Sequence, residues 1–114
     1  MPFISIRTSN KLSAEQKQEI NSGLGEIISI LPGKALPQLM TEIIDGQPMC
    51  FAGEERGGLA FVELRLYSES PMDAKREFVS AFYQLMEKAA GLAGEDIYMN
   101  IQEFDHWARG GQLK

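Results

Sequence analysis

The run KQEINSGLGEIISILPG at residues 17–33 comes back 58 positions later as KREFVSAFYQLMEKAAG at residues 75–91. Ile20, Leu24, Ile27, Ile28 and Leu31 fall on one helical stripe, and Phe78, Phe82, Leu85, Met86 and Ala89 repeat it position for position. The same offset, without a gap, pairs Phe3 with Phe61, Arg7 with Arg65, Lys17 with Lys75 and Glu19 with Glu77. It also pairs Ser22 with Ser80, Gly33 with Gly91, Ala35 with Ala93, Ile43 with Ile101 and Gly53 with Gly111. That is some threefold more identities than average residue frequencies give by chance. The chain therefore reads as two copies of one supersecondary unit, residues 2–58 and 59–114, too few for a solenoid.

Each copy reads strand, helix, strand. Residues 3–8 and 59–67 alternate and are rich in Ile, Val, Phe and Leu, which predicts strands. Ser13 with Gln16, and Ser70 with Asp73, predict capping-box helix starts, with Pro71 where a helix tolerates proline best. Pro32-Gly33 and Gly91 are the expected helix stops, and second strands follow at about 39–45 and 97–103. Two βαβ units with right-handed crossovers predict an α/β two-layer sandwich, a four-stranded mixed sheet carrying both helices on one face. The other face would then be bare, although Phe3 and Phe61 point away from the Ile4, Ile6, Leu64 and Leu66 side. A second copy of the protein is the simplest cover, and the alternative is that the loop 46–58 folds over it.

At 114 residues the chain is expected to form one domain with a modest core. No apolar stretch is long enough to span a bilayer and no charged-then-apolar leader precedes the first strand, so a cytoplasmic protein without a membrane partner is expected. A net charge of −5 argues against nucleic acid. Cys50 is the one cysteine and His106 the one histidine. That excludes an internal disulfide and argues against His/Cys zinc sites and histidine relays, so no metal or cofactor is expected. Both residues are read as incidental, and Gly53, Gly57, Gly58, Gly110 and Gly111 as turn glycines.

One chemical feature stands out at the start. Pro2 follows the initiator methionine, which is normally trimmed before so small a residue. A free secondary amine would then head the first strand, basic without help from any side chain.

Together these residues resemble the tautomerase superfamily, in layout the macrophage migration inhibitory factor-like branch. The resemblance covers the whole chain: Met-Pro before a strand, two βαβ units, Gly33-Lys34, and Ile97-Tyr98-Met99-Asn100 in the last long strand. Residues 13–19 also look like the helix start of the short 4-oxalocrotonate tautomerases. The resemblance implies a homotrimer whose sheets enclose a central barrel, with sites at subunit boundaries. It places the catalytic proline on Pro2, a pocket lysine on Lys34, and a tyrosine and asparagine supplied by a neighbouring subunit on Tyr98 and Asn100. The stretch that usually lends backbone groups to the pocket is here Leu66-Tyr67-Ser68, so Tyr67 makes a different wall. Leu59-Ala60-Phe61-Val62 stands in place of a Cys-x-x-Cys, so thiol chemistry is not carried over.

The implied activity is cofactor-free keto–enol tautomerisation of small anionic keto acids such as phenylpyruvate. Pro2 would be the acid–base; Lys34, Tyr98, Asn100, Tyr67 and Trp107 would bind substrate. A prolyl nitrogen in water is mostly charged at neutral pH, but burial and a neighbouring cation both favour the neutral base. The repeat points the same way, because Pro2 pairs with Ala60, Lys34 with Leu92, Tyr98 with Met40 and Asn100 with Glu42. A site must be one-sided, whereas Arg7 and Arg65, kept in both halves, read as partners of nearby carboxylates. Plainer readings stand beside these. Lys34 suits a helix end, Tyr98 and Asn100 suit interface packing, and Trp107 suits a core anchor. A cytokine-like interaction protein with little turnover, or a related proline-dependent decarboxylase or dehalogenase, are the alternative functions.

Overall fold

The computed structural model describes all 114 residues. Strand β1 (Pro2–Thr8) leads to helix α1 (Ala14–Ile27), which tightens into a 3₁₀ turn over Ile28–Ile30, and then to β2 (Met40–Ile44). A short hairpin follows, β3 (Cys50–Phe51) with β4 (Glu54–Glu55). The second half repeats the order with β5 (Ala60–Tyr67), α2 (Met72–Ala90), β6 (Ile97–Phe104) and the hairpin of β7 (Ala108–Arg109) with β8 (Gln112–Leu113). The main sheet runs β2-β1-β5-β6. Its outer pairs are parallel and its central pair, β1 with β5, is antiparallel. This is the mixed four-stranded sheet with two βαβ units that the repeat predicts.

The core lies between the sheet and the two helices. Ile4, Ile6, Val62, Leu64 and Leu66 point into it from the strands and are fully buried. Ile20, Leu24, Ile28 and Leu31 from one helical stripe meet Phe78, Phe82, Met86 and Ala89 from the other. The outer members of each stripe, Ile27 and Leu85, are half-buried, as the edges of an amphipathic face should be.

Helix α1 starts as predicted. The Gln16 N–H donates to Ser13 Oγ, and the Ser13 N–H donates to Gln16 Oε1. The second capping box does not form. Pro71 takes the cap position with no side-chain bond, and the Ser70 N–H donates instead to Glu103 Oε2 at 2.6 Å. Lys75 Nζ completes a clamp on the same carboxylate at 2.9 Å. The first half carries the equivalent clamp at the same offset: the Leu12 N–H donates to Asp45 Oδ2 at 2.8 Å, and Lys17 lies 3.2 Å from Asp45 Oδ1. The Lys17/Lys75 identity thus ties the start of each helix to its second strand.

The face away from the helices carries Phe3, Ser5 and Arg7 on β1, and Phe61, Glu63, Arg65 and Tyr67 on β5. On β6 it carries Tyr98, Asn100, Gln102 and Phe104, all exposed. Ser5 donates to Glu42 across β1 and β2 at 2.8 Å. Arg65 pairs with Glu63 at 3.0 Å, as expected of it, but Arg7 has no carboxylate partner. The segment 46–58 is not a plain loop. Its hairpin seats Phe51 against Tyr98 and covers one end of this face, leaving the rest open. No helix is long and apolar enough to cross a membrane.

Candidate functional site

Strand β1 delivers the chain's first residues to the sheet end where Pro2 sits opposite Leu66 on β5. The Tyr67 N–H donates to the Met1 carbonyl at 3.3 Å, fixing the terminus on β5. Lys34 emerges just after Gly33, whose φ of +77° turns the chain back toward the sheet. The lysine is almost wholly buried, and its Nζ donates to the Tyr67 carbonyl at 2.9 Å. A buried ammonium with one neutral acceptor keeps donors to spare for an anion. Burial, and then the charges of Lys34, Lys114 and Arg109, hold the Met1 amine, one residue before Pro2, below its ordinary value. Desolvation and like charge both penalise the protonated form, which is the condition a neutral base needs.

Beside the amine opens a cavity of about 660 Å³, within the size range of small-molecule sites. Pro2, Phe3, Met40, Phe104 and Trp107 give it apolar walls, while Arg65 and Arg109 supply charge. Phe104 and Trp107 pack with ring centroids 6.3 Å apart. Trp107 is held where the C-terminal hairpin begins, exchanging backbone bonds with Lys114 at 2.8 and 3.3 Å. Nowhere do three or more His, Cys, Asp or Glu side chains converge as a metal-binding set.

The fold therefore gathers some of the expected residues and separates others. Pro2 and Trp107 line the cavity, whereas Lys34 is not part of its wall, although its charge acts on the Met1 amine. Tyr67 offers its backbone carbonyl to Lys34, and its ring is not part of the cavity wall. Tyr98 and Asn100 share the open face of β6, but Tyr98 lies opposite Phe61, five residues along β5 from the partner of Pro2. At strand spacing that is about 16 Å away within one chain. His106, read as incidental, borders the cavity. Arg109 was not singled out at all. The signal that finds it is the repeat, because β7–β8 stands at the same offset from β3–β4 and carries Arg109 where the first hairpin carries Phe51.

No family model and no curated protein matches the sequence. Solved structures do match. Leishmania major MIF2 is 22% identical, with a TM-score of 0.89 over 100% of this chain and 97% of its own. The macrophage migration inhibitory factor-like protein of Entamoeba histolytica is 23% identical, with a TM-score of 0.84 over 99% and 98%. A fused 4-OT, described as a symmetric trimer, is 15% identical with a TM-score of 0.79 over 90% and 85%. The chain has the fold of the tautomerase superfamily in its macrophage migration inhibitory factor-like form.

Proposed function

We propose that the protein is a cofactor-free keto–enol tautomerase of small keto acids whose base is the nitrogen of Pro2, freed by removal of Met1. The observation that carries this reading is the chain's amino end beside an open, cationic, partly apolar cavity: at Met1, burial and then the charges of Lys34, Lys114 and Arg109 favour a neutral amine, and removal of Met1 would free the Pro2 nitrogen one residue further along the same wall. The nitrogen takes the proton of the enol hydroxyl as the double bond shifts, and returns a proton to the neighbouring carbon. No electrons leave the substrate and no partner molecule is consumed. Lys34, with free donors, binds the carboxylate or the developing oxyanion. Phe3, Phe104 and Trp107 keep bulk water away and strengthen both interactions.

Tyr98 and Asn100 complete the site from a neighbouring copy in this reading. Both are exposed on a face that one chain leaves largely bare, and the fused 4-OT of like fold is a symmetric trimer. Three copies joined through these faces would bury them and bring a neighbour's β6 toward the cavity.

The test is decay of the phenylpyruvate enol absorbance, with intact mass checking that Met1 is gone. Pro2→Ala, which keeps a terminal amine of altered position and basicity, should lose about 100-fold or more in kcat/KM. In the wild type kcat/KM should rise with pH and level off, because only the neutral amine acts. The midpoint should lie below about 7.7–8.0, the usual α-amino range. Lys34→Met removes a cation that opposes protonation, so its rising limb should move to higher pH. Full activity in Pro2→Ala, or a retained Met1 in active enzyme, would refute the assignment.

A further inference from the structure

Helix α2 and strand β6 run in opposite directions and are bonded near both ends of a shared strip. Lys75, in the first turn of the helix, donates to Glu103 at 2.9 Å; two turns later the Tyr83 hydroxyl donates to the Ile97 carbonyl at 2.8 Å. A groove of about 640 Å³ lies along this strip and shares no residue with the cavity beside the chain's amino end. From Lys75 to Tyr83 the helix rises about 12 Å. The wall is ordered by polarity. Lys75 and Arg76 stand at one end, and Val79, Ile101 and the Tyr83 ring follow toward the other.

The charges at the polar end do not cancel. Both Glu103 oxygens are occupied, one by Lys75 and the other by the Ser70 N–H. Lys75 keeps two further N–H groups, and Arg76 has no carboxylate partner. In the first repeat the same strip is crossed and filled by its own side chains. There the 58-residue offset puts Gln18, Asn21 and Gly25 in the places of Arg76, Val79 and Tyr83. Asn21 is bonded to Thr41 at 2.7 Å, and the Leu36 side chain lies against Gly25. The lysine–carboxylate clamp occurs in both halves, whereas the free guanidinium and its apolar bed occur in one.

We propose that this groove binds a medium-chain aliphatic carboxylate, its head on Arg76 and Lys75 and its tail along Val79 and Ile101 toward the Tyr83 ring. A guanidinium matches a carboxylate with two parallel bonds, and the strip behind it removes a linear tail from water. Binding here does not depend on turnover at the first cavity. Amide NMR shifts and calorimetry would follow decanoate, decylammonium and acetate added to wild type, R76Q and V79N. Decanoate should move the amides of residues 75–83 and 101–103 in a saturable way. R76Q should bind it about 3- to 10-fold more weakly and with less dependence on salt. V79N, which puts the first repeat's residue into the bed, should weaken it as well. Acetate lacks the tail and decylammonium reverses the head, so neither should move these amides. Unchanged amide positions elsewhere would show that both variants keep the fold. Decanoate shifts confined to residues 1–3 and 104–109 would place the ligand in the other cavity and overturn the proposal. Equal affinity in R76Q, equal shifts with decylammonium, or unsaturable shifts over the whole surface would overturn it too.

Discussion

Hairpin β3–β4 presses Phe51 onto Tyr98 and locks the contact with an Arg56–Asp96 ion pair, whereas hairpin β7–β8 faces Arg109 toward Met40 across open space. The backbone is the same in both: two-residue strands, a two-residue turn with positive φ at both positions, and the same distance from the start of the preceding α-helix. What differs is the side chains. Where they fill the corner, two rings and an ion pair close it; where they leave it empty and charged, a cavity opens beside the chain's first residues. A repeat thus separates framework from site within one molecule, since the framework must occur twice and the site needs to occur once.

The largest effect tests the shared part. Phe82 and Leu24 hold equivalent places in one common core, and both are fully buried. Phe82→Ala should cost about 3–5 kcal/mol and Leu24→Ala about 2–5 kcal/mol in denaturant unfolding. Because helices from both units bury against each other, either variant should melt as a whole. Far-ultraviolet dichroism and Trp107 fluorescence should then give coincident transitions. If the half carrying Trp107 stayed folded in Leu24→Ala while helix signal was lost, the halves would be separate folding units and the comparison would break.

An intermediate effect tests the clamps, which are equivalent in bonding but not in setting. Lys75 and Glu103 keep 14% and 20% of their side-chain exposure, against 41% for Lys17 in the first clamp. Water competes less for the second pair, so Glu103→Gln should lower the thermal midpoint by more than Asp45→Asn does. Lys75 bonding holds the Glu103 carboxyl below its ordinary value, and the Ser70 N–H adds to it against the opposing effect of burial. The folded state then binds a proton less readily than the unfolded chain. The contribution is full above the ordinary glutamate range of about 4.3 and is lost as pH falls through the lower folded value. Stability of the wild type should fall more steeply than that of Glu103→Gln over that acid window, and parallel profiles would remove the clamp from the account.

The same contrast explains what could be read from the residues alone. Strands and helices announced themselves because their apolar periods are long and occur twice, from Ile20 to Leu31 and from Phe78 to Ala89. The Ser70 cap failed because a local rule met a stronger distant partner: Glu103, thirty-three residues away, captures the very N–H that a capping box would use. The hairpins stayed hidden because two-residue strands carry no period, and Ala52-Gly53 lacks the Asn-Gly signature of the tight turn. Pro2 and Lys34 were reachable through a family likeness, but Arg109 is one cation among eleven until the fold sets it against Phe51. Tyr98 and Asn100 share a face by the two-residue period, and no periodicity says that a single chain keeps them apart from Pro2.

The smallest effect lies in the turns. Ala52 holds a φ of 54°, where the methyl group crowds the backbone, while its counterpart Gly110 holds 59° without one. A single non-glycine residue in this region costs about 1–2 kcal/mol, and glycine gives part of that back through its freer unfolded chain. Ala52→Gly should therefore stabilise the protein slightly, by about 1 kcal/mol or less, in denaturant titration. It should leave the Phe51–Tyr98 contact in place, because the strand pairs Cys50 with Glu55 and Phe51 with Glu54 do not depend on the alanine side chain. A destabilised Ala52→Gly would mean that the first hairpin is held by its turn, and not by the rings and the ion pair that distinguish it from the second.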